Sequence, residues 1–227
     1  MKRMQVVLLA AAGCLCSASS VCAQLGMNLF KKPNIADIFK PVVGSGGLYE
    51  QQKTNSTNQF EMTVVGKEMV DGEQGYWMEF GTQDNKTGQM VYGKTLVTND
   101  FKFKKMVVLI PGQGAMEMPY NSSEKSSSRM TEEMEKWHQA GTETITVPAG
   151  TFSCVHWKKD TGDGDVWASD KVTPIGMVKS VSKGDTMVLL KVITGATDHI
   201  TGPVTNFDPE MIKRQMMQQM QQQKQKP

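Results

Sequence analysis

At 227 residues, with 25 basic against 23 acidic side chains and a formal net charge of +2, the chain lacks the charge excess that nucleic-acid or anionic-membrane binding requires. Its 21 glycines and modest 7% aromatic content suit many strands joined by tight turns, and the length suffices for one all-β domain with a substantial core.

In chain order, the first segment reads as a signal peptide over residues 1–23. Lys2 and Arg3 form a basic start, residues 6–13 are apolar, and Val21-Cys22-Ala23 presents a peptidase site, so cleavage is expected after Ala23. The apolar run falls well short of the roughly 20 residues a membrane span needs. An alternative leader ends at Ala11-Ala12-Gly13-Cys14 and would make a lipoprotein through Cys14; its shortness, and Ala11 where a larger aliphatic is usual, weigh against it. Cleavage at Ala23 removes Lys2 and Arg3, leaving a formally neutral chain without an integral membrane segment. It also removes Cys14, Cys16 and Cys22, so Cys154 has no partner for an internal disulfide in an oxidising compartment.

Residues 24–47 form an N-terminal segment. Asn34 is an N-cap for one or two helical turns that put Ile35, Ile38 and Phe39 on one face, and Pro41 ends them; an ordered coil packing Ile38 and Phe39 on the sheet is the other reading. Residues 42–47 (VVGSGG) read as a flexible lead-in loop. The main domain spans 48–207. In 59–67, Phe60, Met62 and Val64 alternate with Glu61, Thr63 and Val65, the period of a strand with one buried face. Asp71-Gly72 turns the chain, and 75–80 returns with Tyr76, Met78 and Phe80 on one face and Trp77 and Glu79 on the other. Strands at 89–98 and 101–110 follow, joined at Asn99-Asp100, with 107–110 apolar enough to be covered on both sides.

Residues 119–140 read as a polar excursion within one sheet. It holds the low-complexity stretch 121–129 and then a short helix over 131–138, with Met134 and Trp137 one turn apart. From Gly141 to Gly195 five β-prone runs (143–147, 151–158, 165–168, 177–182 and 186–193) are separated by Pro148-Ala149-Gly150, Gly162-Asp163-Gly164, Pro174-Ile175-Gly176 and Lys183-Gly184-Asp185, which makes a meander. Residues 208–227 form a Gln/Met-rich tail, helical or disordered, opened by Asp208-Pro209-Glu210.

Chemistry-bearing residues are sparse. Cys154 and His156 project from one face of a strand, as a nucleophile and base or two metal ligands would, but no third ligand or orienting carboxylate lies at a matching spacing. A buried structural cysteine is the commoner arrangement. Asp160, Asp163 and Asp165 resemble a calcium loop without its closing glutamate and suit a hairpin turn. Met216, Met217 and Met220 form a thioether group that would suit Cu(I), or a helix stripe. No metal, cofactor or catalytic set is expected, and with it no enzymatic activity.

The pattern Gly141-x-Glu143-x-Ile145-x-Val147-Pro148-Ala149-Gly150-x-Phe152-x-Cys154, with Asp165-x-Trp167-x-Ser169 and Pro174-x-Gly176-x-Val178-Lys179, resembles uncharacterised exported bacterial proteins similar to the periplasmic lipoprotein-carrier superfamily. The resemblance implies an incompletely closed barrel whose concave apolar face holds acyl chains and is often plugged by a short helix. Glu143, Trp167 and Lys179 would line a cavity or lie on the sheet surface.

The fold expected is therefore mainly β: an antiparallel, partly open barrel or strongly curved sheet with a short N-terminal helix. The function expected is non-enzymatic binding of a lipid or other apolar ligand after export, with Phe60, Met62, Val64, Tyr76, Met78 and Phe80 as the lining. Two alternatives stand beside it: an envelope interaction protein using its surface and tail, and, more remotely, a Cys/His-dependent enzyme or metal binder.

Overall fold

A computed structural model describes residues 33–83, 88–110, 112, 114–119 and 132–207. The signal segment with Cys14, the stretch 121–129 and the tail with Met216, Met217 and Met220 lie outside the described residues. After helix α1 (Ile35–Ile38) come β1 (Ser45–Lys53), β2 (Ser56–Val70), β3 (Glu73–Gln83), β4 (Met90–Thr98), β5 (Phe103–Ile110) and β6 (Gly114–Met118). A second series follows: β7 (Trp137–Val147), β8 (Gly150–Lys159), β9 (Gly164–Ala168), β10 (Met177–Ser182), β11 (Asp185–Thr194) and β12 (Val204–Asn206).

The twelve strands of the described residues join one sheet in the order β12-β6-β5-β4-β3-β2-β1-β11-β10-β9-β8-β7. Two antiparallel meanders, β1 to β6 and β7 to β11, are thus welded by the β1–β11 pairing, and β12 adds a short parallel strand beside β6. The end strands are β12 and β7, so the sheet is not closed into a barrel. Near its open side the β7–β8 turn reaches β11, where Ala149 N donates to Leu189 O at 3.3 Å. The turns are those the sequence asks for: Asp71 and Gly72 adopt φ of 51° and 80°, the left-handed pair of a two-residue hairpin loop.

Three expectations need correction. The lead-in loop is shorter than expected, because Ser45, Gly46 and Gly47 already belong to β1 and pair with Val64, Thr63 and Met62. These glycines serve close approach: a Cβ on Gly46 would lie 2.2 Å from the Met62 carbonyl oxygen and 2.7 Å from Thr63 Cα. The helix expected over 131–138 is a single turn at 132–135, and Trp137 already pairs with Lys159 as the first residue of β7. A helix that short is marginal on its own, whereas the ladder to β8 satisfies the backbone along the whole strand. In 107–110 only Val107 is buried, at 2% exposure, because the segment 195–203 covers one face of β5, with Ile200 packed against Val107 and Ala115.

That segment is held by polar contacts as well. His199 donates its backbone N–H to Glu79 Oε2 at 3.0 Å, its Nδ1 lies 2.6 Å from Glu79 Oε1, and its ring stacks on Tyr92 at 4.2 Å. Beside it Lys94 pairs with Asp198 and donates to Ile200 O at 3.0 Å. Glu79 is 1% exposed, and this desolvation, outweighing the His199 bonds, holds its carboxyl above the usual range. A carboxyl that binds its proton more tightly in the folded chain contributes stability below the unfolded value, and that contribution is lost as pH rises through the raised value. Glu79→Gln is therefore expected to gain on the wild type between pH 4 and pH 7 in urea unfolding; a difference moving the other way would mean that the His199 bonds dominate.

Candidate functional site

The register of β2 and β3 sets Met62 opposite Phe80 and Val64 opposite Met78. All six residues expected to form an apolar lining fall in one cluster: Met62, Val64 and Met78 are buried, and Phe60, Tyr76 and Phe80 pack partly buried against them. Tyr49 stacks on Phe60 with centroids 5.2 Å apart. Part of what covers this face comes from the N-terminal segment, and Val147, Phe152 and Cys154 of β7 and β8 and Val172 and Ile175 of the loop after β9 are buried in the same cluster. Phe39, immediately after α1, sets its ring edge-on to Tyr76 at 6.4 Å and to Phe101 at 5.0 Å, and it is buried.

Pairing carries the same face across the sheet. Tyr49 and Gln51 share a side of β1, and Gln51, Met187, Ser180, Val166 and Trp157 stand opposite one another on successive strands. Trp157 therefore faces the way Tyr49 does, and it clusters with Met134, Trp137 and Val166. Ile38 of α1 packs against both clusters. Between them a cleft of about 230 Å³ remains open beneath α1, walled by Ile38, Val155, Trp157, Ala168, Val172 and Ile175. One side of it is the loop 169–176, folded on itself by Ser169 N donating to Gly176 O at 2.7 Å and joined to the end of α1 by Lys40 N donating to Pro174 O at 2.7 Å.

The opposite face of β8 carries Cys154 and His156, and here the sequence reading is incomplete: two carboxylates do approach the histidine. His156 Nδ1 lies 2.6 Å from Glu143 Oε1 on β7, and Nε2 lies 2.8 Å from Asp165 Oδ1 on β9. Its ring stacks on Trp167 at 4.4 Å, Trp167 Nε1 donates to Glu143 Oε2 at 3.0 Å, and Lys179 Nζ sits 5.2 Å from the Trp167 ring. The indole bond, then the His156 bond, hold the Glu143 carboxyl below the usual range. Glu143, Trp167 and Lys179 thus come together as a cross-strand ladder centred on His156.

This geometry does not pair the histidine with the thiol. Both ring nitrogens are engaged by carboxylates, and Cys154 Sγ points to Phe152 O at 3.7 Å. Burial, helped by the Glu143 charge, pushes the Cys154 thiol up to about 11. In native protein at pH 7.5, Cys154 is expected to react with a disulfide reagent about a hundredfold more slowly than an exposed thiol, and at an ordinary rate once unfolded in urea. Fast native labelling would contradict this placement.

The calcium-like aspartates are engaged separately. Asp160 pairs with His138, Asp163 accepts from Thr161 Oγ1 at 2.5 Å and faces Lys159 at 3.6 Å, and Asp165 bonds His156.

Neither a protein family nor a curated protein matches the sequence. Similar solved structures include a protein from Bacteroides fragilis predicted to be exported, with a YmcC-like fold (12% identity, 68% of this chain and 98% of that one, TM-score 0.36). A predicted lipoprotein from Parabacteroides distasonis matches at 16% identity over 68% of this chain and 98% of that one, with TM-score 0.36. MucB matches at 8% identity with TM-score 0.42, over 75% of this chain and 60% of MucB.

Proposed function

We propose that the chain is an exported, non-enzymatic binding protein that receives a lipid acyl chain or another apolar ligand on the apolar face of its unclosed sheet. The observation that carries this reading is the cover of that face. A four-residue helix and the Phe39 ring lie over it, with an apolar-walled cleft still open at their side. A helix of one turn has little stability of its own, so α1 holds its place through the packing of Ile38 and Phe39 and the Lys40 to Pro174 bond. A ligand that binds the uncovered face better than the covered one displaces such a lid. The leader with Lys2, Arg3 and Ala23 supports export. Cys154 and His156 receive no catalytic role, because their polar atoms are engaged by Phe152, Glu143 and Asp165.

Native mass spectrometry of protein taken from the envelope of its own cell tests this. The expected result is a chain beginning at Gln24 that carries a lipid-sized apolar adduct. A ligand-free chain whose protein partners are lost on deleting residues 211–227 would overturn it in favour of an envelope interaction protein.

A further inference from the structure

Resting on the proposed binding of an apolar ligand, we infer that the cleft beneath α1 selects a neutral ligand, an ester or alcohol rather than a free acid, through the hydroxyl of Ser169. Ser169 lines the cleft and is 4% exposed, yet its Oγ has no hydrogen-bond partner among the described residues. Its backbone is satisfied, with N–H donating to Gly176 O and C=O accepting from Val172 N at 3.2 Å, so among the described residues it is the side chain that lacks a partner. A buried hydroxyl without a partner is unfavourable, and a ligand that supplies one removes that penalty on binding.

The rest of the lining says which group that is. Trp157, Val155, Ala168, Val172 and Ile175 form its apolar part, Asn34 and Gln139 add uncharged polar groups, and its charged residues are Asp37 and Asp170 against Lys40. A ligand carboxylate reaching Ser169 would leave water for a cleft lined by two like charges and one opposite charge, where the other polar side chains, Asn34 and Gln139, carry no charge. A carbonyl or hydroxyl meets the serine without that penalty. The volume, about 230 Å³, lies below the roughly 300–1,000 Å³ of drug-sized sites, so the cleft takes a short chain or the end of a longer one.

The test titrates the full mature chain with methyl octanoate and with octanoate at pH 7. Affinity is read by calorimetry, and position by the indole N–H resonance of Trp157, assigned with Trp157→Phe. Expected are a shifted Trp157 resonance, at least about tenfold preference for the ester, and about a fivefold to tenfold loss of ester affinity in Ser169→Ala. Ser169→Cys, close in size and a weak donor, falls between, and Asp170→Asn narrows the preference by admitting the acid. Matching circular dichroism and Tm verify that the variants fold. Ester binding at Trp157 that Ser169→Ala leaves unchanged, or equal binding of ester and acid, overturns the inference while the apolar-binding reading stands. Ester binding that leaves Trp157 unmoved overturns the assignment of this cleft. Binding of neither probe overturns the binding reading itself.

Discussion

Alanine at Gly46 is expected to lower the unfolding free energy by about 3 kcal/mol, seen as a lower midpoint at unchanged slope in urea. The added methyl would meet the Met62 carbonyl oxygen at 2.2 Å and Thr63 Cα at 2.7 Å. Both are backbone atoms of β2, so no side-chain rotation relieves the overlap; β1 and β2 must separate where Gly46 pairs with Thr63. The consequence spreads because β1 is the seam of the sheet, bonded to β2 on one side and to β11 on the other. Moving it disturbs the packing of Tyr49 and Leu189, both fully buried. Gly66→Ala is the control. There the nearest atom to a new Cβ is Trp77 Cδ1 at an ordinary 3.8 Å, so the variant is expected to lie within about 1 kcal/mol of the wild type. Equal effects at the two positions would show that close approach does not explain Gly46.

The same residue shows where sequence reading stops. Alternation gives strand identity well: the run 177–182 is β10 to the residue, and Phe60, Met62, Val64, Tyr76, Met78 and Phe80 do share one cluster. Alternation carries no information on what lies over a face, and the cover, Phe39, comes from a different segment. Gly-rich chain reads as loose unless its neighbours are known, so 45–47 reads as a loop although β2 lies against it. The ladder around His156 depends on registers that bring residues 143, 165 and 167 beside it, including a shift between Gln139 and Gly141 that no local pattern announces. Glu79 and His199 meet across 120 positions. On β8 the sequence drew attention to the face of Cys154 and His156, while the cleft uses the alternate residues, Val155 and Trp157, whose apolar character is ordinary for any strand.

Phe39→Ala is expected to cost about 3 kcal/mol of stability and, in return, to bind apolar ligand more tightly than the wild type. The ring is 4% exposed and makes edge contacts with Tyr76 and Phe101. Its loss is felt most at Phe101, whose φ of 62° is rare for a bulky side chain and persists because the ring is held between Phe39 and Phe103, the latter at 5.3 Å. The space left adjoins Tyr76 and Phe101, and α1 loses one of the contacts that fix its C-terminal end. On the proposed reading, a ligand whose chain extends from the cleft onto this face competes with Phe39 there, so the observed affinity is reduced by the fraction of molecules in which the ring is seated. Removing the ring abolishes that competition. The measurement is thermal unfolding of both proteins with and without methyl palmitate, whose chain is longer than the cleft takes and must extend onto the neighbouring face, where the ligand raises Tm through its binding to the folded state. A larger rise in Phe39→Ala than in the wild type is expected. An equal rise in both would mean that ligand and ring occupy different places, leaving Phe39 an ordinary core residue; no rise in either would remove the apolar face from consideration as a binding surface.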